Sequence, residues 1–572
     1  MTFSEAALIA AVVDTQVPMD TPADLVVTGT TVHTLDPQTP TAEAFAVTGG
    51  RIAAVGAADD IAPLAGPRTE VLDAAAIGGR AVVPGLADVH IHLGLGGTQA
   101  VYELIVVPTD SLDTVLDKVR ERAGGLGPDE WVVGGVVASP IIDVLCEKRA
   151  IERLDEAAGG RAVVLRDESL HNRWVSSRAL ELMGVTESTP DPDDGKYVRD
   201  SEGRLTGVLV EQASVVGEEA MQASIIDLPG RHRVAYRRAL EIVNSYGITA
   251  AQDAALLEYG LAALAELDDA GALSARVVGS LPVRPFLDVG PTGDPLLAAA
   301  PGYRRERVRP DFVKLFLDGV PMTRTALMLG PYRCHGDHED PVYRGEPFWS
   351  HDDLVGELRR CADLGLGAKL HCAGDGAMRM ALDAIEQVRA SHGTGPRYQI
   401  AHVLFIDKVD LPRFAALDVV PDASPYIWSP SPMVDSVAEQ VPESTMSGIW
   451  PFRDFVESGA LLAAGSDWPV VPLPNPWLGL GTMVTRSDPD GFSPGRLNGA
   501  QALSVEQALA AFTRNPAVAM GLGDITGALR PGLSADFAVL DRDPFTVDPD
   551  EIARTVVAQT WFEGRRVYEH AL

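Results

Sequence analysis

Eight short runs rich in Val, Ala, Leu and Ile constrain this chain more than any other feature. They read VVPGLADVHIH, GITAAQD, RVVGSLPV, FVKLFLDG, LGAKLHC, YQIAHV, DVVPDASP and LLAAGSD. Each is followed by room for a helix, as in HDDLVGELRRCADLG or GDGAMRMALDAIEQVRASHG. Strand-then-helix alternation produces a parallel sheet covered by helices. Eight such units favour a closed (β/α)₈ TIM barrel over an open doubly wound sheet, so the expected fold class is α/β. The spacing is uneven, because about 150 residues separate the first run from GITAAQD. A large insertion is therefore predicted after the first strand, at about residues 100–235, with a strand-like run AVVLRDESLH and a helix SSRALELMG of its own. Insertions at this place in barrels commonly form lids, so a cover that shapes specificity is expected.

The two ends of the chain share another texture. ADLVVTGTTVHTL and AFAVTGGRIAAVG are Val-rich runs, the second with a hairpin turn at Gly49-Gly50. ADFAVLDRD and TVVAQTWFEGRRVYE repeat the pattern, with a turn at Glu563-Gly564. Chain ends often lie close in space. Residues 22–84 and about 526–572 are thus predicted to be two halves of one small β domain, with 85–525 as the barrel and 1–21 as a surface extension.

Charge limits the partners. Lys and Arg total 47 against 80 Asp and Glu, a formal net charge of −33. That field repels phosphate backbones and anionic headgroups, so neither nucleic acid nor a membrane surface is expected. Arg304–Arg309 reads as the sole basic cluster and as a solvated loop. Cys146, Cys334, Cys361 and Cys372 show no CxxC spacing, which excludes a disulfide framework and a thiolate zinc site. A reducing cytoplasm fits best. The first residues carry Glu5 and no basic segment, so a signal peptide is not expected, and no apolar run reaches membrane-spanning length.

Chemistry is carried by polar residues at the ends of the apolar runs. His90 and His92 are two apart, so on a strand both imidazoles face one side and make half a divalent-metal site. His371 ends LGAKLHC, His402 ends YQIAH and Asp467 ends LLAAGSD. Barrel enzymes place their chemistry at these C-terminal strand ends. Lys314 lies inside the apolar FVKLFLDG, where a lone ammonium is costly unless paired or neutralised.

Together PGLADVHIH, VKLFLDG, HCAGDGA, IAHV, GSDWPV, the insertion phrase LHNRWVSSRAL and the closing GALRPGLSADFAVLDRDPF are similar to the amidohydrolase superfamily, in its YtcJ-like branch. The resemblance spans about Ala23 to Glu569. It implies the barrel with a flanking β-sandwich built from both chain ends. It also implies metal ligation by His90, His92, His371, His402 and Asp467, and a Lys314 that captures CO₂ as a carbamate bridging the metals. One or two divalent ions are implied, with zinc the best match to imidazole and carboxylate ligands. The implied reaction is hydrolysis of an amide-type C–N bond, in an N-substituted formamide or N-acyl amide, with Asp467 as general base and acid. The alternatives are a deaminase or lactone/ester hydrolase on the same scaffold, and a metal-binding protein without catalysis. A homodimer acting on a small molecule is expected. His171 is expected to line the substrate cavity, and Arg324 to orient a carbonyl or carboxylate. Asp375 fits a helix-capping role and Cys372 a small core position. The loop Cys334, His335, Asp337 and His338 reads as a solvated lid loop, with a secondary weak metal site as the alternative, and the PDASP run departs from the family's usual Gln-Pro.

Overall fold

In the computed structural model, all eight predicted strands join one parallel sheet. They are β1 (Leu86–Ile91), β2 (Ile248–Asp253), β3 (Arg276–Pro282), β4 (Val308–Phe316), β5 (Gly367–Cys372), β6 (Tyr398–His402), β7 (Val419–Ala423) and β8 (Ala463–Ala464). Neighbours in the sheet are neighbours in sequence, from β8 round to β1. The ring closes through backbone bonds: Asp467 N donates to His90 O at 2.7 Å and His92 N to Trp468 O at 2.9 Å. Closure needs Gly465, where a Cβ would stand 2.5 Å from His90 N. The structure describes residues 22–106, 110–137, 145, 148–167, 172–192, 195–285, 290–334 and 340–570.

Helices cover the barrel for a simple reason. Asp375–His392 buries Met378, Ala381, Leu382, Ile385 and Val388, an i, i+3, i+4 stripe, while Asp383 and Glu386 face outward. Ser350 caps the helix His351–Asp363 by accepting from Asp353 N.

The first predicted strand is divided between two sheets. Ala81–Pro84, which takes in the VVP of VVPGLADVHIH, pairs with Thr31–His33 on one side and Phe537–Leu540 on the other. Gly85 is the crossing point, and a Cβ there would meet Thr249 Oγ1 at 2.1 Å. The resulting six-stranded sheet thus takes strands from both chain ends, as expected. A second sheet of four strands comes from Ala23–Thr28, Ala44–Thr48, Arg51–Gly56 and Ala65–Asp73. The two share one core, with Leu25, Val27, Phe45 and Ile52 against Val82, Phe537, Val539 and Trp561. Both predicted hairpin turns form: Gly49 and Gly50 have φ of 58° and 76°, and Glu563 and Gly564 have 51° and 69°. Positive φ at both central residues gives the turn whose twist matches the strands.

The basic cluster is a loop at residues 304–307 with Arg304 exposed, but it is tethered by ion pairs rather than free. Arg307 pairs with Asp268 (2.8 Å) and Glu563 (2.6 Å), and Arg276 pairs with Asp536 (2.6 Å) and Glu563 (2.8 Å). These arginines tie the C-terminal hairpin to the barrel. Nor is the cluster alone, since the helix Leu228–Ser245 carries Arg231, His232, Arg233, Arg237 and Arg238.

Residues 94–239 make a separate compact unit, slightly wider than the predicted 100–235. Its six-stranded sheet includes Val132–Val137, Val163–Asp167 and Asn172–Val175, and Ser177–Leu182 is helical as predicted. Arg166 and Arg173 both pair with Glu218, at 2.9 and 2.7 Å. Among the described residues, no helix is long and apolar enough to cross a membrane.

Candidate metal centre

The strand ends bring the six predicted residues together. His90 and Lys314 are almost fully buried, and His92, His371, His402 and Asp467 are each under a tenth exposed. Asp467 Oδ1 lies 3.2 Å from His92 Nε2 and 3.5 Å from His90 Nε2, and Oδ2 lies 3.9 Å from His402 Nδ1. Lys314 Nζ is 3.1 Å from His90 Nε2. The His371 and His402 rings meet edge-on with centroids 4.3 Å apart. Left-handed backbone at His402 (φ 78°) and Asp467 (φ 58°) turns both residues out of their strands at the barrel rim. Such conformations persist where the surroundings enforce them. Here Trp450 Nε1 donates to the His402 carbonyl, and Asp467 N is held by His90 O.

Second-layer groups orient the imidazoles. His90 Nδ1 donates to Asp422 Oδ2 at 2.7 Å, which leaves Nε2 with its lone pair toward Asp467 and Lys314. Lys369 Nζ donates to the same Oδ2 at 2.6 Å. Asp88 Oδ1 accepts from His90 N (3.0 Å) and Ser466 N (3.1 Å), bracing the joint between β1 and the β8 end. His371 Nε2 donates to Gly319 O at 3.0 Å.

The electrostatics favour neutral His90, His371 and His402 beside an ionised Asp467. Burial, then Lys314, pushes His90 well below its ordinary value and His371 down to about 4. Burial and His371 bring His402 to about 3. Burial acts to raise Asp467, but His90, the His92 hydrogen bond and His402 outweigh it and hold the carboxylate far below its usual range. Burial and neighbouring Lys369 lower Lys314 to about 7. Burial lifts Asp88 to about 7 despite its hydrogen bonds.

This donor set fits a divalent cation. His90, His92 and Asp467 each offer a ligand atom within 4.8 Å of the others. Buried His92 Nδ1 and His402 Nε2 have no hydrogen-bond partner. Lone-pair nitrogens and an anionic oxygen at this spacing are what zinc-like ions take.

The remaining predicted residues fall elsewhere or outside the description. Arg324 sits in the loop after β4 with its guanidinium 5.7 Å from the Tyr332 and Tyr343 rings. Asp375 starts the helix Asp375–His392 and accepts from Leu329 N at 2.7 Å, which ties down that loop. Cys372 is buried, and burial pushes its thiol well up. Cys334 is exposed. His171, His335, Asp337 and His338 lie outside the described residues. Sequence reasoning missed Asp88, Lys369 and Asp422. Asp88 and Lys369 each precede a candidate histidine by two positions in an apolar strand, the same-face spacing that singled out His90 and His92.

A closed parallel barrel that gathers histidines, a lysine and an aspartate at its strand ends defines a metal-dependent hydrolase class of architecture. The chain belongs to the amidohydrolase family, whose model matches residues 70–568. It is 28% identical to the N-substituted formamide deformylase of Arthrobacter pascens over 561 residues, covering 96% of this chain and 98% of that one. With YtcJ of Bacillus subtilis (strain 168) it is 26% identical over 511 residues, covering 88% and 91%. The crystal structure of an uncharacterized metal-dependent hydrolase from Pyrococcus horikoshii OT3 superposes with a TM-score of 0.72 at 22% identity, covering 92% of this chain and 99% of that one.

Proposed function

We propose that this amidohydrolase cleaves an amide-type C–N bond of a small molecule, an N-substituted formamide or N-acyl amide. The observation that carries the reading is the Asp467 carboxylate, buried and ionised, 3.2 Å and 3.5 Å from two imidazole nitrogens. The near full-length similarity to a formamide deformylase supports the substrate class. His90, His92, His371, His402 and Asp467 would hold one or two divalent ions, with zinc the best chemical match. Such an ion supplies Lewis acidity toward the carbonyl and lowers the pKa of water toward neutrality.

Asp467 takes the proton of the attacking water and returns it to the leaving nitrogen. Oxygen bonds to the acyl carbon, the C–N bond breaks, and the products are an amine and a carboxylate. Amines leave poorly unprotonated, so one carboxylate serves in both directions. Lys314, buried beside His90 Nε2, is the residue proposed to add CO₂. Once the ammonium has lost a proton, the neutral amine forms the new N–C bond and releases a second proton, so the carbamate would put a negative charge where the ammonium was positive. A cytoplasmic homodimer remains part of this reading.

A hydrolysis screen of the zinc-loaded protein tests it, across N-substituted formamides, N-acyl amides, lactones, phosphoesters and amino-heterocycles. Amine and acid release from the first two groups is expected. Turnover confined to lactones, or ammonia release from the heterocycles, would replace this assignment.

A further inference from the structure

Arg486 lies outside the cluster described above. It follows the helix Pro476–Thr485 and is 0% exposed. Its backbone is fixed on both sides: N donates to Thr482 O at 2.8 Å, and its carbonyl accepts from Leu497 N at 2.9 Å. The side chain is anchored as well, since Nε donates to Leu497 O at 2.8 Å. Nη1 and Nη2 are buried without a hydrogen-bond partner.

Among the described residues no carboxylate balances the charge. Burial lowers Arg486 to about 9, so the guanidinium stays charged at neutral pH. Cζ lies 5.0 Å from the Phe452 ring centroid. A cation–π contact offsets little of the penalty for burying an ion. Trp428 packs edge-on against the same ring at 5.2 Å, and its Nε1 is also buried without an acceptor. All these unpartnered atoms are donors. The chemistry that satisfies them is a compact acceptor carrying negative charge.

We propose that Arg486 holds a small monovalent anion, a halide or a short carboxylate, through Nη1 and Nη2 beside Phe452. The parallel donors of a guanidinium fork suit a carboxylate pair of oxygens, and a halide satisfies the same charge with less directionality. Phe452 is two residues from Trp450, whose Nε1 bonds the His402 carbonyl at 3.2 Å. The anion therefore braces the segment that holds one side of the candidate metal centre.

The test uses the full chain in gluconate buffer at constant ionic strength, with chloride, bromide, formate or acetate exchanged in and the melting midpoint recorded. A ligand that binds only the folded state raises the midpoint with the logarithm of its concentration once its Kd is passed. Wild type is expected to respond so, and Arg486→Met to give a flat line. A response to chloride and bromide alone assigns a halide, and a response to formate and acetate alone assigns a carboxylate. A flat wild type overturns the proposal, as does an equal slope in Arg486→Met. Should that variant fail to fold, wild-type crystals soaked in bromide and in formate decide the matter: anion density within hydrogen-bond reach of Nη1 and Nη2 is expected, and its absence from both overturns the proposal.

Discussion

Lys369 and Asp422 form an ion pair with no solvent access, Nζ to Oδ2 at 2.6 Å, and the same oxygen takes the proton of His90 Nδ1. A carboxylate in this position fixes the imidazole tautomer and raises its basicity as a ligand. Asp422→Asn keeps the shape and removes the charge. Metal affinity, measured by chelator competition, should fall about 10–100-fold. An unchanged affinity would deny Asp422 any part in orienting His90.

Asp467→Asn should separate proton transfer from binding. One oxygen stays to face His92, while the capacity to accept a proton is lost. General acid–base assistance is worth about 10²–10⁴-fold, so kcat should fall by at least the lower figure. Metal content by elemental analysis should stay near wild type. Full activity with normal metal would assign the proton to another group.

Lys314→Ala should lose activity and part of the metal. Millimolar acetate or propionate should restore some activity by supplying the oxygens of the carbamate. If the carboxylates do nothing while bicarbonate depletion also leaves wild type untouched, Lys314 is not carboxylated.

Gly465→Ala probes the barrel seam. The new Cβ would fall 2.5 Å from His90 N, against backbone rather than a flexible side chain. Overpacking of this kind costs about 1–3 kcal/mol. A lower melting midpoint and a loss of bound metal are expected together, because His90 must move. A variant with wild-type stability and metal would mean that the seam is looser than Gly465 implies.

Glu218 gives a pH dependence remote from the metal. Burial acts to raise it, but Arg166 and Arg173 outweigh that and bring it down to about 2 from an ordinary 4.5. A depressed carboxylate stabilises the fold above its unfolded value, and the contribution fades as pH falls from about 4.5 toward 2. Glu218→Gln takes one carboxylate from Arg173 and from Arg166, which keeps Glu103 at 2.6 Å, and should cost about 1–3 kcal/mol near neutrality. Its melting midpoint should also fall less steeply than that of wild type on acidification below about pH 5. Parallel slopes would show that the Glu218 pKa is the same in the folded and unfolded chains, and that the arginines do not depress it.

The barrel was legible because its strands are buried on both faces, which writes them as unbroken apolar runs. Polar residues ending such runs stand out, and that exposed His90, His371, His402 and Asp467 to view. Lys369 and Asp422 did not stand out as a pair. They lie in different runs, and β6 lies between their strands, so only barrel curvature brings them within 2.6 Å. The division of VVPGLADVHIH was hidden too, because Ala81–Pro84 and Leu86–Ile91 are both buried strands and only Gly85 separates them. The arginines at 304–309 looked solvated because their partners, Asp268, Asp269 and Glu563, are distant or unremarkable in sequence.

The shared sheet of the two chain ends has a consequence for biosynthesis. Ala81–Pro84 gains its Thr31–His33 neighbour early, yet its other edge waits for Phe537–Leu540. About 450 residues separate the two, and at roughly 5–20 residues per second the ribosome needs on the order of 20–90 seconds to deliver the second. Throughout that interval an apolar strand stands with an open edge, the feature that recruits foreign strands. The nascent chain is thus most vulnerable to misassociation before Phe537–Leu540 emerges, and synthesis that stalls short of it leaves a barrel-length polypeptide with an unfinished sandwich.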